Sequence, residues 1–213
     1  MMGKVVLEIS TSLDGFVAGP NPTLEEPLGQ GGEGLHEWAI GVASWRESHG
    51  LTGGETNADS ELMAEGIAST GSVVMGRKMF SGGAGPWEND SNARGWWGDD
   101  PPFRKPVFVV THHAREPLEL GETTFTFVTD GVESAVEQAR AAAGDKDVLV
   151  AGGAAVAQQV LGAGRLDELQ LHVAPILLGG GTRLFEGAPD VPLELVHVLD
   201  SPTVTHLRYR VRR

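Results

Sequence analysis

Residues 148–161 read VLVAGGAAVAQQVL. Four residues suited to a strand buried on both faces run through Gly152 and Gly153 straight into an apolar helical segment. A strand followed at once by a helix belongs to a βαβ unit, and such units build parallel sheets. No other stretch of the chain narrows the fold so far. The glycines also bear on chemistry. They form a tight turn, or they let a phosphate approach the bare N–H groups at a helix start. The site does not follow the GxGxxG pattern, and a GxxxxGK[ST] loop is absent, so the residues alone leave both readings open.

The rest of the chain repeats the alternation. Residues 4–10 read as a strand, and 20–34 as a loop rich in proline and glycine. Residues 35–50 carry Leu35, Trp38, Ala39, Val42 and Trp45 near helical spacing, despite Gly41. A second helix spans 59–70, with Asp59 or Ser60 as its cap, and a short apolar strand ends at Gly76. A long loop at 81–105 holds Trp87, Trp96 and Trp97, readable as a lid over a flat ring or as a dimer contact. Residues 106–113 form a buried-type strand and 123–130 an alternating one. Residues 131–144 form a helix with an apolar stripe of Val132, Ala135, Val136 and Ala139, capped by Asp130. A strand at 147–153 and a helix at 154–163 follow. Pro175 within the strand at 167–179 points to an edge or a bulge, and 193–211 is a terminal hairpin.

The expected fold is therefore α/β. It has a mostly parallel central sheet, an antiparallel C-terminal strand or hairpin, and helices on both faces, in one domain over 1–213 with a loop-and-helix insert at 20–58. With 213 residues and 40% hydrophobic content the chain can bury a large core without disulfides, and it has no cysteine. A formal net charge of −13 argues against nucleic acid as a partner. No apolar run approaches the ~18 residues of a membrane span, and no signal peptide is visible, so a cytoplasmic protein is expected.

Two further strand ends resemble the first glycine site. Gly76 closes a strand and is followed by the cations Arg77 and Lys78, which suit a pyrophosphate. Thr111, His112 and His113 follow the buried strand VFVV. Ligands of α/β sheets bind outside the carboxyl ends of strands, so three such ends suggest a nucleotide with several phosphates. The adjacent histidines lack a nearby acid or cysteine, and no metal is expected.

In this order, SLDGFVAG, VVMGRKMF, PVFVVTHH, AGGAAVAQQVL and LHVAPILLGGGTRLFEG resemble the dihydrofolate reductase-like superfamily. Within it, the chain is similar to the group related to the reductase domain of the bifunctional riboflavin-biosynthesis deaminase/reductase. The resemblance implies NADPH as cofactor. It implies that Gly76, Arg77 and Lys78 meet the pyrophosphate and the adenosine-side phosphate. Thr111, His112 and His113 would lie near the 2′-phosphate, and Gly152, Gly153, Ala154, Ala155 and Val156 would cradle the pyrophosphate. Backbone near Thr11 and Ala18 would hold the nicotinamide carboxamide. The implied activity is hydride transfer to a small planar heterocycle of pyrimidine or pteridine type, in a homodimer joined through the terminal hairpin. Such a reaction also needs a proton. Asp14 and Glu37 are the candidate donors, with Asp59, Glu61 and water behind them. Two departures point away from the riboflavin intermediate itself. The stretch after the second strand reads MGRKMFSGGAGPW, without Asp-Asp-Pro, and Ala151 stands where those reductases carry Glu. The alternatives are a riboflavin-pathway 5-amino-6-(5-phosphoribosylamino)uracil reductase and a non-catalytic NADP(H)-binding protein.

Overall fold

The computed structural model describes residues 3–83 and 85–212; residues 1, 2, 84 and 213 of the expected domain lie outside them. Eleven strands are present: β1 (Val5–Ser12), β2 (Phe16–Ala18), β3 (Thr70–Gly76), β4 (Pro106–Val110), β5 (Leu118–Leu120), β6 (Thr123–Val128), β7 (Asp147–Gly152), β8 (Glu168–Ala174), β9 (Thr182–Arg183), β10 (Leu193–Asp200) and β11 (Thr205–Val211), all among the described residues. The helices are α1 (Glu37–Ile40), α2 (Ala43–Ser48), α3 (Ala58–Ser69), α4 (Arg77–Ser81), α5 (Val132–Ala143) and α6 (Ala154–Gly162). Nine strands form one sheet in the order β10-β11-β8-β1-β7-β3-β4-β6-β5. The six from β8 to β6 run parallel. The hairpin β10–β11 adds an antiparallel edge on one side, as expected. A second antiparallel edge, β5, was not expected: its three residues are too few to show a pattern. β2 and β9 pair as a separate small ribbon.

The two faces are covered differently. Val5, Leu7, Val74, Val148 and Val150 point to the face packed by α5 and α6, whose Val132, Ala135, Val136, Val156 and Val160 complete the main core. The second face has two separate covers. Phe80, Phe125 and Phe127, with Trp87 and Trp97, form an aromatic block with Val73, Met75, Val107 and Val109. Trp38, Ala39 and Val204, with Trp45 and Met63, form the other. The tryptophan loop thus packs onto the sheet and does not lie open as a lid. Trp87 packs edge-on against Phe80 and Phe127, Trp97 against Phe103, and Trp96 Nε1 donates to the Met79 carbonyl at 2.7 Å.

Several local expectations are corrected. The segment 35–50 is not one helix: Val42 is extended (φ −91, ψ 151) and separates α1 from α2. Gly41 tolerates the break, and β-branched Val42 favours it. Asn57, not Asp59 or Ser60, caps α3, accepting from the Ser60 N–H at 3.0 Å. Gly131 occupies the N-cap of α5 at φ 93, and Asp130 makes no cap bond. Pro175 marks neither an edge nor a bulge. It follows the end of β8, which lies inside the sheet between β1 and β11. Among the described residues no helix is long and apolar enough to cross a membrane.

Leu7 lies on a central strand and is fully buried, so its truncation leaves a cavity that parallel neighbours cannot close. Leu7→Ala is expected to cost about 2–5 kcal/mol. Urea denaturation should show a lower midpoint with an unchanged slope.

Candidate functional site

β1 pairs with β7 only from Val5↔Val148 to Leu7↔Val150. Beyond that, β1 stays with β8 as far as Ser12↔Ala174, while β7 stays with β3, where Met75 is opposite Gly152. The two strands part, and their separation opens a crevice at the carboxyl edge of the sheet, the usual ligand position in such folds. Gly76 pairs with Val110 on the next strand. The register therefore brings 76–78, 111–113 and 152–156 to one edge, with Thr11 across the gap.

The side chains on that edge do different things. No side chain caps α6, while the N–H groups of Val156 and Ala157 turn back to the Gly153 carbonyl at 3.0 and 3.2 Å. A Cβ added to Gly153 would meet nothing within 4 Å, so space lies open before the helix start. Ala154 and Val156 are buried against the core, and Ala155 is exposed. Gly152 has φ 120 and joins Gly153 by a cis peptide bond. A Cβ on Gly76 would lie 3.1 Å from Val156 Cγ2, so glycine lets β3 and α6 approach. The open space and uncapped backbone donors fit a phosphate group. Lys78 and His112 are exposed beside them. Thr111 is buried and His113 half-buried; Thr111 Oγ1 accepts from the His113 N–H at 3.1 Å. The Thr11 hydroxyl faces the carbonyls of Ser12 and Phe16 at 3.1 and 3.3 Å. Ala18 pairs with Thr182 in the small ribbon.

Two expected residues are turned to other work, and a third lies outside the cleft. Arg77 is buried, pairs with Asp90 at 2.5 Å, contacts Ser81, and stacks 3.5 Å from the Trp87 ring centre. Its guanidinium anchors the aromatic block instead of reaching toward a ligand. Asp14 accepts from Ser12 Oγ at 2.6 Å and from the N–H groups of Leu178 and Gly179 at 3.1 and 2.8 Å. The Ser12 hydroxyl outweighs desolvation, and with the two amides it holds the carboxyl at about 2, which makes Asp14 a latch between two loops and a poor proton donor. Glu37 is exposed on α1, outside the cleft lined by its neighbours His36 and Trp38.

That cleft, about 280 Å³, lies between the two covers of the second sheet face. Ser10, Val73, Leu149 and Ala151 line its floor, Trp38, Trp45 and Met63 one wall, and Met79 and Phe103 the other. Trp45 is stacked on His49, ring centres 3.8 Å apart. One end is polar. His172 Nε2 lies 3.2 Å from Glu8 Oε1, His172 Nδ1 lies 2.6 Å from His206 Nδ1, and His206 Nε2 lies 3.1 Å from Asp59 Oδ1. Trp38 Nε1 donates to Ser10 Oγ at 3.1 Å, and its ring lies 4.6 Å from that of His172. Burial pushes Glu8 up, but the bond and charge of His172 outweigh it and hold the carboxyl below its ordinary value. Burial, and secondarily the charge of His172, lowers both His36 and His206. Sequence reasoning missed this row, except for naming Asp59. Its signal was a polar residue at every second position of three otherwise apolar strands: Glu8 and Ser10, Gln170 and His172, His206 and Arg208.

A family model for the RibD C-terminal domain matches residues 3–207. Among solved structures, a Shewanella sp. PV-4 protein described as a riboflavin biosynthesis protein superposes with a TM-score of 0.66 at 22% identity, over 99% of each chain. The Thermotoga maritima diaminohydroxyphosphoribosylaminopyrimidine deaminase/5-amino-6-(5-phosphoribosylamino)uracil reductase gives 0.57 at 16%, covering 99% of this chain and 57% of that one. Enterococcus faecalis dihydrofolate reductase, solved with NADP(H), gives 0.54 at 14%, over 100% and 99%. These likenesses bear out the expected dihydrofolate reductase-like fold. No curated protein sequence matches the chain.

The Asp14 latch has a pH signature. Its folded pKa of about 2 lies below the ordinary aspartate value of 3.8, so its stabilisation is complete above about pH 4 and is lost as pH falls through about 2. Asp14→Asn should lower the denaturation midpoint at neutral pH. The gap between wild type and variant should narrow between about pH 4 and 2; a constant gap would rule out an ionised latch.

Proposed function

The chain belongs to the RibD C-terminal domain family, and on that premise we propose that it is an NADPH-dependent reductase acting on a small planar heterocycle. One observation carries the reading. A Cβ on Gly152 would lie 3.3 Å from Ile9 Cδ1 and 3.7 Å from Met79 Sδ, and Ile9 and Met79 also line the cleft. The glycine edge and the aromatic-walled cleft therefore share a wall, which supports a nucleotide on one side of it and a flat ring on the other. When bound, NADPH supplies the hydride. The backbone at 153–155 would hold its diphosphate at the start of α6, and Lys78 and His112 would serve the 2′-phosphate. The edge of β1 left unpaired by β7 beyond Leu7, with Ala18, would hold the carboxamide. Trp38, Trp45 and Phe103 exclude water and orient the substrate ring.

Family membership favours a pyrimidine of the riboflavin pathway, the second reading. The apolar floor at Leu149 and Ala151 favours a ring without a long polar arm. A substrate screen of pterins, simple pyrimidines and 5-amino-6-(5-phosphoribosylamino)uracil, followed by NADPH oxidation, separates them. A NADP(H)-binding protein without turnover would oxidise none.

Energy transfer from the tryptophans to bound nicotinamide should show tighter binding of NADPH than of NADH. Ala155→Asp puts a carboxylate on an exposed first-turn position of α6, which favours the helix but opposes a phosphate. It should leave thermal stability equal or higher and weaken NADPH at least tenfold. Unchanged affinity would remove the nucleotide from this edge. We also propose a homodimer through β10, an edge strand that leaves Leu193, Leu195, Val196 and Val198 exposed. Sedimentation should give twice the monomer mass, and Val198→Lys should return it to monomer.

A further inference from the structure

The row Glu8–His172–His206–Asp59 crosses four elements. Glu8 lies on β1, His172 opposite His206 on β8 and β11, and Asp59 in the first turn of α3. Three of its members are dry: the side chains of His206, Asp59 and His172 are 0%, 3% and 4% exposed, while Glu8 at 26% is the open end. Glu8 and His172 line the cleft; His206 and Asp59 do not.

Three links join the four groups, at 3.2, 2.6 and 3.1 Å. A carboxylate only accepts, so each end link needs a proton on the imidazole Nε2. Two nitrogens 2.6 Å apart need a proton between them. The row therefore requires three protons, and two neutral imidazoles bring only two. The third makes one ring an imidazolium, flanked by two carboxylates. Burial and the neighbouring ring lower the affinity of His206 for a proton. Of the two rings only that of His172 borders the cleft, so a proton exchanged with the cleft passes through the Glu8–His172 link. The other charged groups facing the row are His36 and Arg208. Among the described residues His36 Nδ1 has no hydrogen-bond partner, and Arg208 Nε donates to Gln170 Oε1 at 2.7 Å.

We propose that Glu8, His172, His206 and Asp59 form one proton store, which holds a single exchangeable proton at the edge of the cleft and delivers it to the substrate as hydride arrives. Delivery rests on the reductase reading; the store itself does not. Hydride addition to a C=N or C=O carbon leaves an electron pair on the nitrogen or oxygen. The proton at the Glu8–His172 link forms the new N–H or O–H bond, its imidazole N–H bond breaks, and the row regains one proton from water. His206 and Asp59 touch neither cleft nor substrate and act as positioning residues, fixing the ring and its charge.

Trp38 lies 4.6 and 4.9 Å from the two rings, so its fluorescence, quenched by a neighbouring imidazolium, reports the store without any substrate. The Trp38 signal is the difference between wild type and Trp38→Phe across pH 5–9. It should show one inflection. In Asp59→Asn the imidazolium loses a counter-charge while His206 keeps an acceptor, so the inflection should move about one unit toward lower pH. Ring ¹⁵N shifts of His172 and His206 in the wild type should change together, at that same midpoint, by one proton in total. With a reducible substrate, the kcat profile of Asp59→Asn should move by the same amount, with KM and NADPH affinity unchanged. Two independent histidine midpoints, or an inflection that Asp59→Asn does not move, would overturn the store. A store that titrates as expected beside an unmoved kcat profile would overturn delivery. Loss of NADPH binding alone would instead strike the reductase reading.

Discussion

A parallel core must be covered on both faces, and this chain covers the second face in two pieces. The six strands from β8 to β6 present apolar side chains to both sides. One side receives α5 and α6 as a continuous layer. The other receives an aromatic block over β3, β4 and β6 and a helical cover around Trp38, with nothing closing the space between. The parting of β1 and β7 lies under that gap. Cleft and crevice are thus one consequence of the same incomplete cover. The anchors of each piece matter for that reason. The buried Arg77–Asp90 pair holds the aromatic block, and the Trp38–Ser10 bond ties the other to β1.

Much of this was legible in residues. VFVV and VLVA read as buried strands because their apolar runs need no partner to be recognised, and the stripe Val132, Ala135, Val136, Ala139 is buried as its spacing implies. What failed was local geometry that competing residues decide. Trp38 and Trp45 sit seven apart and both face the cleft, yet not from one helix, because Val42 takes an extended conformation between them. Pro175 was read as an irregularity within a strand and is instead the reason the strand stops. The carboxylate of Asp130 is close in sequence to a helix start that glycine, by its positive φ, turns in another way.

The site divides along the same line. Its glycine edges follow from short motifs, since a strand end and the next helix start are adjacent in sequence. Motifs say where the backbone goes and little about where a long side chain goes. Arg77 follows Gly76 as a phosphate ligand would, yet a ring at 87 and a carboxylate at 90 claim it. Position alone makes Asp14 and Glu37 candidate acids, yet one is latched to a distant loop while the other is exposed outside the cleft. The groups that do meet at the cleft come from positions 8, 59, 172 and 206. Only the order β11-β8-β1 and its register bring them together.

The cost of that row argues for its use. Buried polar groups contribute little net stability even when bonded, and an apolar replacement of similar volume is often as stable. The neighbouring strands show that this chain fills sheet positions with Val and Leu wherever packing alone is at stake. Four titratable side chains on three adjacent elements and one helix are therefore not explained by packing. Each link is satisfied, which keeps the desolvation cost bearable, and the one partly open member faces the cleft. The dry end fixes the charge and the wet end exposes it. An array that only stabilised the fold would have no need of the open end, and a surface cluster would have no need of the dry one.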